Sequence, residues 1–214
     1  MMKKIFGLAS ALVMAAALPL VQPALAQAID SDAAIEAYKA VLQDKMTFYC
    51  TNAKKNYKLS EYDYWNDEEK LPLTVVRFAV IDMNGDGAPE VVLELTSGFD
   101  GAYEVLHYEN DMVYGFNHSY RAINDLTSDG IYGGSSGAAD GGYYKASIKK
   151  DTYKTEALGY SQTEADGSVS YYVGTSKVTE SQYEEFQEKM WAHARQLPAA
   201  WMDFTDEEIA GIRW

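Results

Sequence analysis

The sequence predicts an α+β fold: an antiparallel β-meander with an N-terminal helix and C-terminal helices packed on the sheet. Three observations lead to this prediction. Apolar residues recur every three or four positions near both ends of the chain, which is the period of an amphipathic helix. In the middle, short apolar and β-branched runs are separated by turns rich in Gly, Asn and Asp, which is typical of strands. Connections this short favour antiparallel neighbours over parallel β-α-β units.

The composition excludes several classes of protein. The 214 residues include 18 Lys and Arg against 32 Asp and Glu, a net charge of −14, which excludes a basic nucleic-acid binder. A hydrophobic share of 47% suits a globular core and not a disordered polymer. The single cysteine, Cys50, excludes an internal disulfide and a Cys-rich zinc module. Its place after Phe48 and Tyr49 on a predicted helix indicates a buried, inert thiol.

Residues 1–26 have the pattern of a secretory signal peptide. Lys3 and Lys4 form a charged start, an apolar run of about 16 residues follows, and Ala24-Leu25-Ala26 has the small-x-small cleavage pattern. The alternative is a retained membrane anchor, which would need about 20 apolar residues to span the bilayer. We therefore expect a mature chain, residues 27–214, that forms a single domain. It would be secreted or periplasmic, with no stable membrane insertion after cleavage.

Helices are predicted at both ends of the mature chain. The first runs over residues 31–49, with Ser31 at the N-cap. Its apolar face consists of Ile35, Tyr38, Leu42, Met46 and Tyr49. Near the C-terminus, Thr179 opens a capping box and the helix continues to about Gln196, before Pro198. Thr205 opens a second capping box and a short terminal helix.

The predicted strands occupy the middle of the chain. They cover residues 73–81, 90–95, 103–108, 112–116, 143–148, 153–160 and 169–173. Glu109-Asn110-Asp111 is a predicted hairpin turn. Residues 130–142, rich in Gly and Ser, are predicted to form a flexible loop. The alternative is that this stretch covers a binding groove, because small side chains let a ligand approach the backbone closely. The loop contains the G-x-S-x-G spelling of a nucleophile elbow, but it lacks the following helix that such an elbow needs.

One segment carries a chemical motif, with oxygen-bearing residues at positions 1, 3, 5, 7 and 9 of a D-x-[DN]-x-D-G pattern. The candidate ligands are the side chains of Asp82, Asn84, Asp86 and Glu90 and the main-chain carbonyl of Ala88. Hard oxygen ligands suit Ca²⁺, and Gly87 permits the sharp turn that brings them together. The alternative is a plain acidic turn between two strands. Three carboxylates so close together repel one another unless a cation neutralises them, which favours the calcium loop.

This loop resembles the calcium loops of FG-GAP and VCBS-type repeats and of integrin α-subunits, and more distantly those of dockerins and EF-hands. In these families the acids at positions 1, 3 and 5, a carbonyl at 7 and an acid at 9 or 12 hold Ca²⁺. The resemblance implies the same role for the five candidate ligands here. The EF-hand match fails at position 12, which is Leu93, and the flanks are predicted strands. We therefore expect a strand-loop-strand site with a structural role.

A wider resemblance covers about two-thirds of the mature chain. The segment is similar to secreted proteins of gut Firmicutes that carry a D-x-[DN]-G-D-G-x-P-E core between two apolar strands. Those proteins often continue with a Tyr-rich hairpin, a Gly-Ser-rich loop and a terminal Trp…Phe-Thr-x-Glu segment. The counterparts here are residues 103–116, 130–142 and 201–208. The resemblance implies no known activity.

The functional expectation is a calcium-binding, non-enzymatic binding or cell-surface-associated module, with a glycan or protein as its extracellular ligand. The alternative is a secreted hydrolase acting on polysaccharide or peptidoglycan. A hydrolase should show a deep cleft with converging acids, whereas a binding module should show a shallow aromatic face or an exposed sheet edge. Tyr143-Tyr144 and Tyr171-Tyr172 are candidate glycan-stacking pairs. Neighbours on a strand point to opposite faces, however, so both members of a pair cannot line one platform.

Overall fold

The structure, a computed structural model, describes residues 30–65, 70–98 and 101–214. The predicted signal peptide, residues 1–26, lies outside the described residues. The α+β prediction is confirmed: a helix comes first, strands fill the middle, and helices lie at the C-terminal end. The helices are α1 (Ser31–Leu42), α2 (Glu180–Gln196) and α3 (Asp206–Gly211). A short 3₁₀ helix spans Leu59–Glu61.

The strands belong to two main sheets and one isolated pair. In chain order they are β1 (Phe48–Cys50), β2 (Lys55–Tyr57), β3 (Asp63–Trp65), β4 (Lys70–Pro72), β5 (Thr74–Ile81), β6 (Glu90–Thr96), β7 (Gly101–Glu109), β8 (Met112–Ser119), β9 (Ile131–Ser135), β10 (Gly141–Lys149), β11 (Thr152–Thr163), β12 (Val169–Val173), β13 (Ser176–Val178) and β14 (Trp201–Asp203). The first sheet has the order β14-β5-β6-β7-β8-β1-β2, and the second has the order β13-β12-β11-β10-β9. β3 pairs with β4 alone.

The predicted meander is therefore two meanders, β5–β8 and β9–β13, in separate sheets. Every named strand pair is antiparallel except β1 with β8, which is parallel. Two-residue turns join β7 to β8 and β10 to β11. Between β7 and β8, Asn110 and Asp111 have φ of 54° and 60°, so this hairpin turn lies where the sequence predicts it and uses the left-handed conformation that two-residue hairpin turns require.

Two apolar layers flank the first sheet. On one face, α1 and α3 cover a core that includes Tyr38, Phe78 and Leu106. On the other face, the first sheet packs against the second through residues such as Ile81 and Tyr132. α2 lies against β11 and β12 of the second sheet. The layers are thus helices, sheet, sheet and helix, and each sheet buries one face against the other sheet and one against a helix.

The first helix is shorter than predicted. It begins after Asp30, whose carboxylate accepts the backbone N–H groups of Asp32 and Ala33, so Asp30 and not Ser31 is the N-cap. It ends at Leu42. Asp44 has a φ of 59°, a left-handed conformation that is incompatible with continuing the helix. Phe48 and Cys50 then belong to β1. The prediction that Cys50 lies on a helix was wrong, because this segment pairs with β8 as a strand. The thiol is buried, as expected.

The glycine-rich segment is also more ordered than the predicted loop. Residues 131–135 form β9 and pair with the start of β10, where Gly141 faces Ser135. The turn between them is held by Ser136, whose N–H donates to the carbonyl of Asp140 at 2.9 Å. A Cβ on Gly134 would lie 3.0 Å from the carbonyl oxygen of Ala122, which is closer than most side chains pack. A strand, not a helix, follows the G-x-S-x-G spelling.

The second long helix forms as predicted. Thr179 and Gln182 make both hydrogen bonds of the capping box, and α2 ends at Gln196. Its C-terminal half is fixed to the chain before β9, because His193 Nε2 lies 3.0 Å from a carboxylate oxygen of Asp129. The backbone N–H of Ala199 adds a bond of 2.8 Å to the carbonyl of Leu126. These contacts hold one face of α2 beside the segment that leads into β9.

Candidate calcium loop and binding groove

The candidate calcium loop connects β5 to β6 and is built around the carboxylate of Asp82. One oxygen accepts the backbone N–H of Gly85 at 2.6 Å and that of Asp86 at 3.2 Å. The other accepts the N–H of Gly87 at 2.9 Å. Gly85 and Gly87 have φ of 78° and 87°, a conformation that favours glycine. Asp82 therefore organises the turn, and the sequence pattern is well suited to this local structure.

Asn84 and Asp86 repeat the same arrangement along the loop. The side-chain oxygen of Asn84 accepts the N–H of Asp86 at 2.9 Å, and Asp86 Oδ1 accepts the N–H of Ala88 at 2.8 Å. The amide nitrogen of Asn84 lies 3.0 Å from Asp86 Oδ2, 3.4 Å from Glu90 Oε1 and 3.5 Å from the carbonyl oxygen of Ile148. Oxygens from the loop, from β6 and from the second sheet thus converge on one electropositive group.

Glu90, at position 9, differs from the other candidate ligands because it is fully buried. Its Oε2 accepts the N–H of Met83 at 2.8 Å, and its Oε1 lies 2.9 Å from His107 Nδ1. Burial raises the pKa of Glu90, and the bond to His107 partly offsets that rise. His107 was not predicted as a partner, because it lies on β7 and only the pairing of β6 with β7 brings it to Glu90.

The donor set fits a hard cation in its chemistry. Asp82, Asn84, Asp86, Glu90 and the carbonyl of Ala88 all offer oxygen, which Ca²⁺ prefers. Throughout the described ranges, no three side chains of His, Cys, Asp or Glu form a metal-binding group on their own. A site here would therefore depend on the amide of Asn84 and on backbone carbonyls together with the acids. Lys145 of β10 also approaches, with its ammonium 3.6 Å from where a Cβ on Gly85 would lie.

A groove lies between α2 and the segment of chain that leads into β9. It consists of two adjoining cavities of about 380 Å³ and 280 Å³, which share Asn124 and Asp125. Gln187, Trp191 and Arg195 line it from α2; they are spaced by four residues and so lie on one helix face. Both cavities are open to solvent.

The larger cavity is aromatic and cationic. Trp191 and Trp201 line it, and the guanidinium groups of Arg195 and Arg77 lie 3.9 Å and 4.4 Å from the respective ring centroids. Tyr103 adds a third ring, 6.4 Å from that of Trp201. The tryptophans were not among the residues that the sequence singled out for an aromatic face. The signal that would have found them is the spacing of Trp191 and Arg195 on α2.

The smaller cavity is lined in large part by the glycine-rich segment. Its lining includes backbone from residues 133–142 together with Ser135, Asp140 and Ser161. Asp140 has a structural role as well, because its carboxylate accepts the N–H of Thr163. This end of the groove therefore offers main-chain and hydroxyl groups, where the other end offers aromatic rings and arginines.

The tyrosine pairs are divided between two faces, as predicted. Tyr143 packs against Phe186 of α2, at 6.2 Å between centroids, whereas Tyr144 packs against Tyr132 between the sheets, at 6.0 Å. Tyr171 contacts Tyr183 of α2. These rings hold the second sheet to its neighbours, so they do not form one glycan platform.

A further polar group is buried beneath the first sheet. Glu104 is fully buried; its Oε2 accepts hydrogen bonds from Tyr62 Oη at 2.7 Å and Asn117 Nδ2 at 3.2 Å. Its Oε1 has no partner among the described residues. Burial raises the pKa of Glu104 to about 7. A Cβ on Gly115 would lie 2.3 Å from Oε1, so the glycine makes room for the carboxyl group.

Comparison of the chain with protein-family models, curated proteins and solved structures gave no match. None of the helices in the described part of the chain is both long enough and apolar enough to cross a membrane. The functional conclusion therefore depends on the residues of this chain alone.

Proposed function

We propose that this protein is an exported, non-enzymatic binding module whose loop at residues 82–90 is stabilised by Ca²⁺. The observation that supports the calcium site is the arrangement around Asn84, whose amide nitrogen is surrounded by oxygens of Asp86, Glu90 and Ile148 within 3.5 Å. Oxygens from separate parts of the chain thus meet at one point, as the ligands of a cation do.

Calcium in this loop would have a structural role. The side chains of Asp82, Asn84, Asp86 and Glu90 and the Ala88 carbonyl would hold it, and its charge would neutralise the acids. Because Ile148 belongs to the second sheet, the ion would tie the β5–β6 turn to that sheet. Extracellular sites bind with dissociation constants of about 10⁻⁴–10⁻³ M. At tenfold excess of Ca²⁺, the gain in the free energy of unfolding is about 1.4 kcal/mol.

The calcium site is tested by differential scanning calorimetry of the mature chain, residues 27–214, in Ca²⁺ and in EDTA, with isothermal titration for the ion itself. We expect the melting temperature to be about 4 °C higher in Ca²⁺. Asp86→Asn should abolish most of that difference. Asp166→Asn is the matched control, because Asp166 also accepts a neighbouring backbone N–H, from Ser168 at 3.0 Å, in an exposed turn far along the chain.

The two outcomes separate a metal ligand from a simple turn former. If Asp86 only shapes the turn, Asp86→Asn will lower the melting temperature equally with Ca²⁺ and with EDTA. Identical melting curves for the wild type in the two buffers, together with no heat of Ca²⁺ binding, would remove the calcium site. Both variants keep the fold's apolar core, so neither result depends on global unfolding.

The open groove supports binding over hydrolysis. Both cavities are open to solvent, and the aromatic end contains arginines, which are suited to holding a ligand. The alternative, a secreted hydrolase of polysaccharide or peptidoglycan, is favoured by one observation: Asp125 and Asp140 both line the smaller cavity. Release of reducing ends or muropeptides by the wild type, lost in Asp125→Asn, would establish the hydrolase. We expect no turnover above that of Asp125→Asn.

A further inference from the structure

Two arginines of this strongly acidic chain line one end of the groove, together with the acid Asp125. The net charge is −14, and the sequence contains four arginines. Two of them, Arg77 and Arg195, line the same cavity although they are 118 positions apart. Most of the surface repels anions. An anionic group would therefore be bound at this end of the groove in preference to the rest of the molecule.

Both guanidinium groups are oriented by tryptophan rings. Arg195 lies 3.9 Å from the centroid of Trp191, one helical turn earlier, and Arg77 lies 4.4 Å from that of Trp201. A guanidinium that stacks on a ring keeps its N–H donors at its edge, in the fork that matches a carboxylate or sulfate. The Nε–H of Arg77 donates a hydrogen bond to a carboxylate oxygen of Glu94. In the described part of the chain, Arg195 forms no salt bridge, so its donors remain available.

The rest of the groove suits a sugar chain. Trp191 is 54% exposed, and with Tyr103 it offers flat apolar rings on which the C–H face of a sugar can pack. The cavity that continues past Asn124 is lined by hydroxyl, amide and backbone groups, which match sugar hydroxyls. A ligand that combines an anionic group, an apolar face and several hydroxyls is an acidic saccharide.

We propose that the groove binds a short acidic saccharide, with its carboxylate or sulfate on Arg195 and Arg77 and its ring on Trp191. This inference rests on the proposed binding function but not on the calcium loop. A short chain is favoured over a long polyanion, because the net charge of −14 repels a long polyanion beyond the arginines, and Asp125 in the same cavity limits the number of anionic groups that the site accepts.

The test uses the mature chain and four ligands. Three are trisaccharides: trigalacturonic acid, sulfated maltotriose and neutral maltotriose. The fourth, a hexaglutamate peptide, is an anion without sugar rings. Binding is measured by calorimetry and by the indole N–H signals of the tryptophans in NMR spectra. We expect at least one acidic trisaccharide to bind about tenfold more tightly than maltotriose, with the Trp191 signal shifted. Arg195→Gln should weaken that binding about tenfold, since one charged hydrogen bond is lost. Arg213→Gln, which replaces an arginine outside the groove, is the matched control.

Each result decides the proposal. Preference for trigalacturonic acid identifies the carboxylate as the recognised group, and preference for sulfated maltotriose identifies the sulfate; both support the site. Equal affinity for maltotriose, or equal affinity for a hexaglutamate peptide, overturns an acidic saccharide as the ligand. Acidic-saccharide binding that persists unchanged in Arg195→Gln overturns this site but leaves a binding module intact. No binding of any of the four ligands overturns the inference, while the melting experiment judges the calcium loop separately.

Discussion

The indole nitrogen of Trp214 donates a hydrogen bond of 3.1 Å to the carbonyl oxygen of Gly87. The last residue of the chain is thus attached to the candidate calcium loop, which begins 132 positions earlier at Asp82. The contact couples the C-terminal segment after α3 to the turn between β5 and β6. It also places an intrinsic fluorophore beside the loop, with about half of its surface exposed.

We predict that Trp214 reports calcium binding. Because Ca²⁺ would tighten the turn that its indole contacts, the fluorescence of the mature chain should change on titration with Ca²⁺. Trp214→Phe should remove this change and lower the free energy of unfolding by about 0.5 kcal/mol, the value of one exposed hydrogen bond. Trp191→Phe, in the groove, is the control and should keep the response. A calcium-dependent signal that survives in Trp214→Phe would show that the loop does not act on this residue.

A second prediction concerns Tyr38, which joins α1 to the first sheet. Its hydroxyl donates to the carbonyl of Pro89 and accepts the N–H of Tyr108, both at 2.8 Å, and the residue is fully buried. Tyr38→Phe leaves two backbone groups without a partner. We expect a loss of about 1–3 kcal/mol in the free energy of unfolding, measured by urea denaturation.

Tyr120→Phe is the control for this experiment, because Tyr120 is 56% exposed. Its effect should be within about 0.5 kcal/mol. If Tyr38→Phe is equally mild, water must replace the hydroxyl between Pro89 and Tyr108, and the contact does not fix α1.

The elements could be predicted from sequence where the signal was local. The period of apolar residues located α2, the Thr179 capping box located its start, and Asn110-Asp111 located a hairpin. The predicted helix extended too far, through Phe48 and Tyr49, because Tyr49 kept the helical spacing of apolar residues. What placed them in β1 was the neighbouring edge of β8, a partner about 65 positions away that no local pattern records.

The candidate site likewise has a part that the sequence predicts and a part that depends on long-range packing. The spacing of Asp82, Asn84 and Asp86 is a property of one turn, so the sequence contains it. The burial of Glu90 against His107 depends on the register of β6 and β7, and the groove depends on where α2 crosses the second sheet. Both are long-range packing outcomes, since the same residues in another topology would not meet.

A third prediction tests the packing that positions α2. A Cβ on Gly159 would lie 2.4 Å from the ring of Phe186, so Gly159→Ala requires this ring, or the helix that carries it, to move away from β11. We expect a loss of about 1–3 kcal/mol in the free energy of unfolding, as for other overpacked cores. Gly211→Ala is the control, because nothing lies within 4 Å of its added Cβ, and it should be neutral or slightly stabilising. Equal stability of the two variants would mean that Phe186 moves aside without cost.

The last prediction concerns Glu104, whose Oε1 is buried and has no hydrogen-bond partner among the described residues. Burial raises the pKa of Glu104 from 4.5 to about 7 in the folded protein. Above pH 4.5 the unfolded chain releases this proton while the folded chain keeps it. The residue therefore costs increasing stability as the pH rises from 4.5 to about 7, and the cost is constant above that range. The full shift corresponds to about 3 kcal/mol.

Glu104→Gln keeps the shape and the acceptor for Tyr62 and Asn117 but cannot ionise. Relative to the wild type, its free energy of unfolding should therefore rise between pH 4.5 and 7, by up to about 3 kcal/mol, and be nearly level below pH 4.5. Urea denaturation at several pH values measures this difference. Glu188→Gln, which changes an exposed glutamate of α2, is the control and should follow the wild-type profile. A difference between Glu104→Gln and the wild type that does not change with pH would show that Glu104 is already ionised in its buried site, with water or a cation at Oε1.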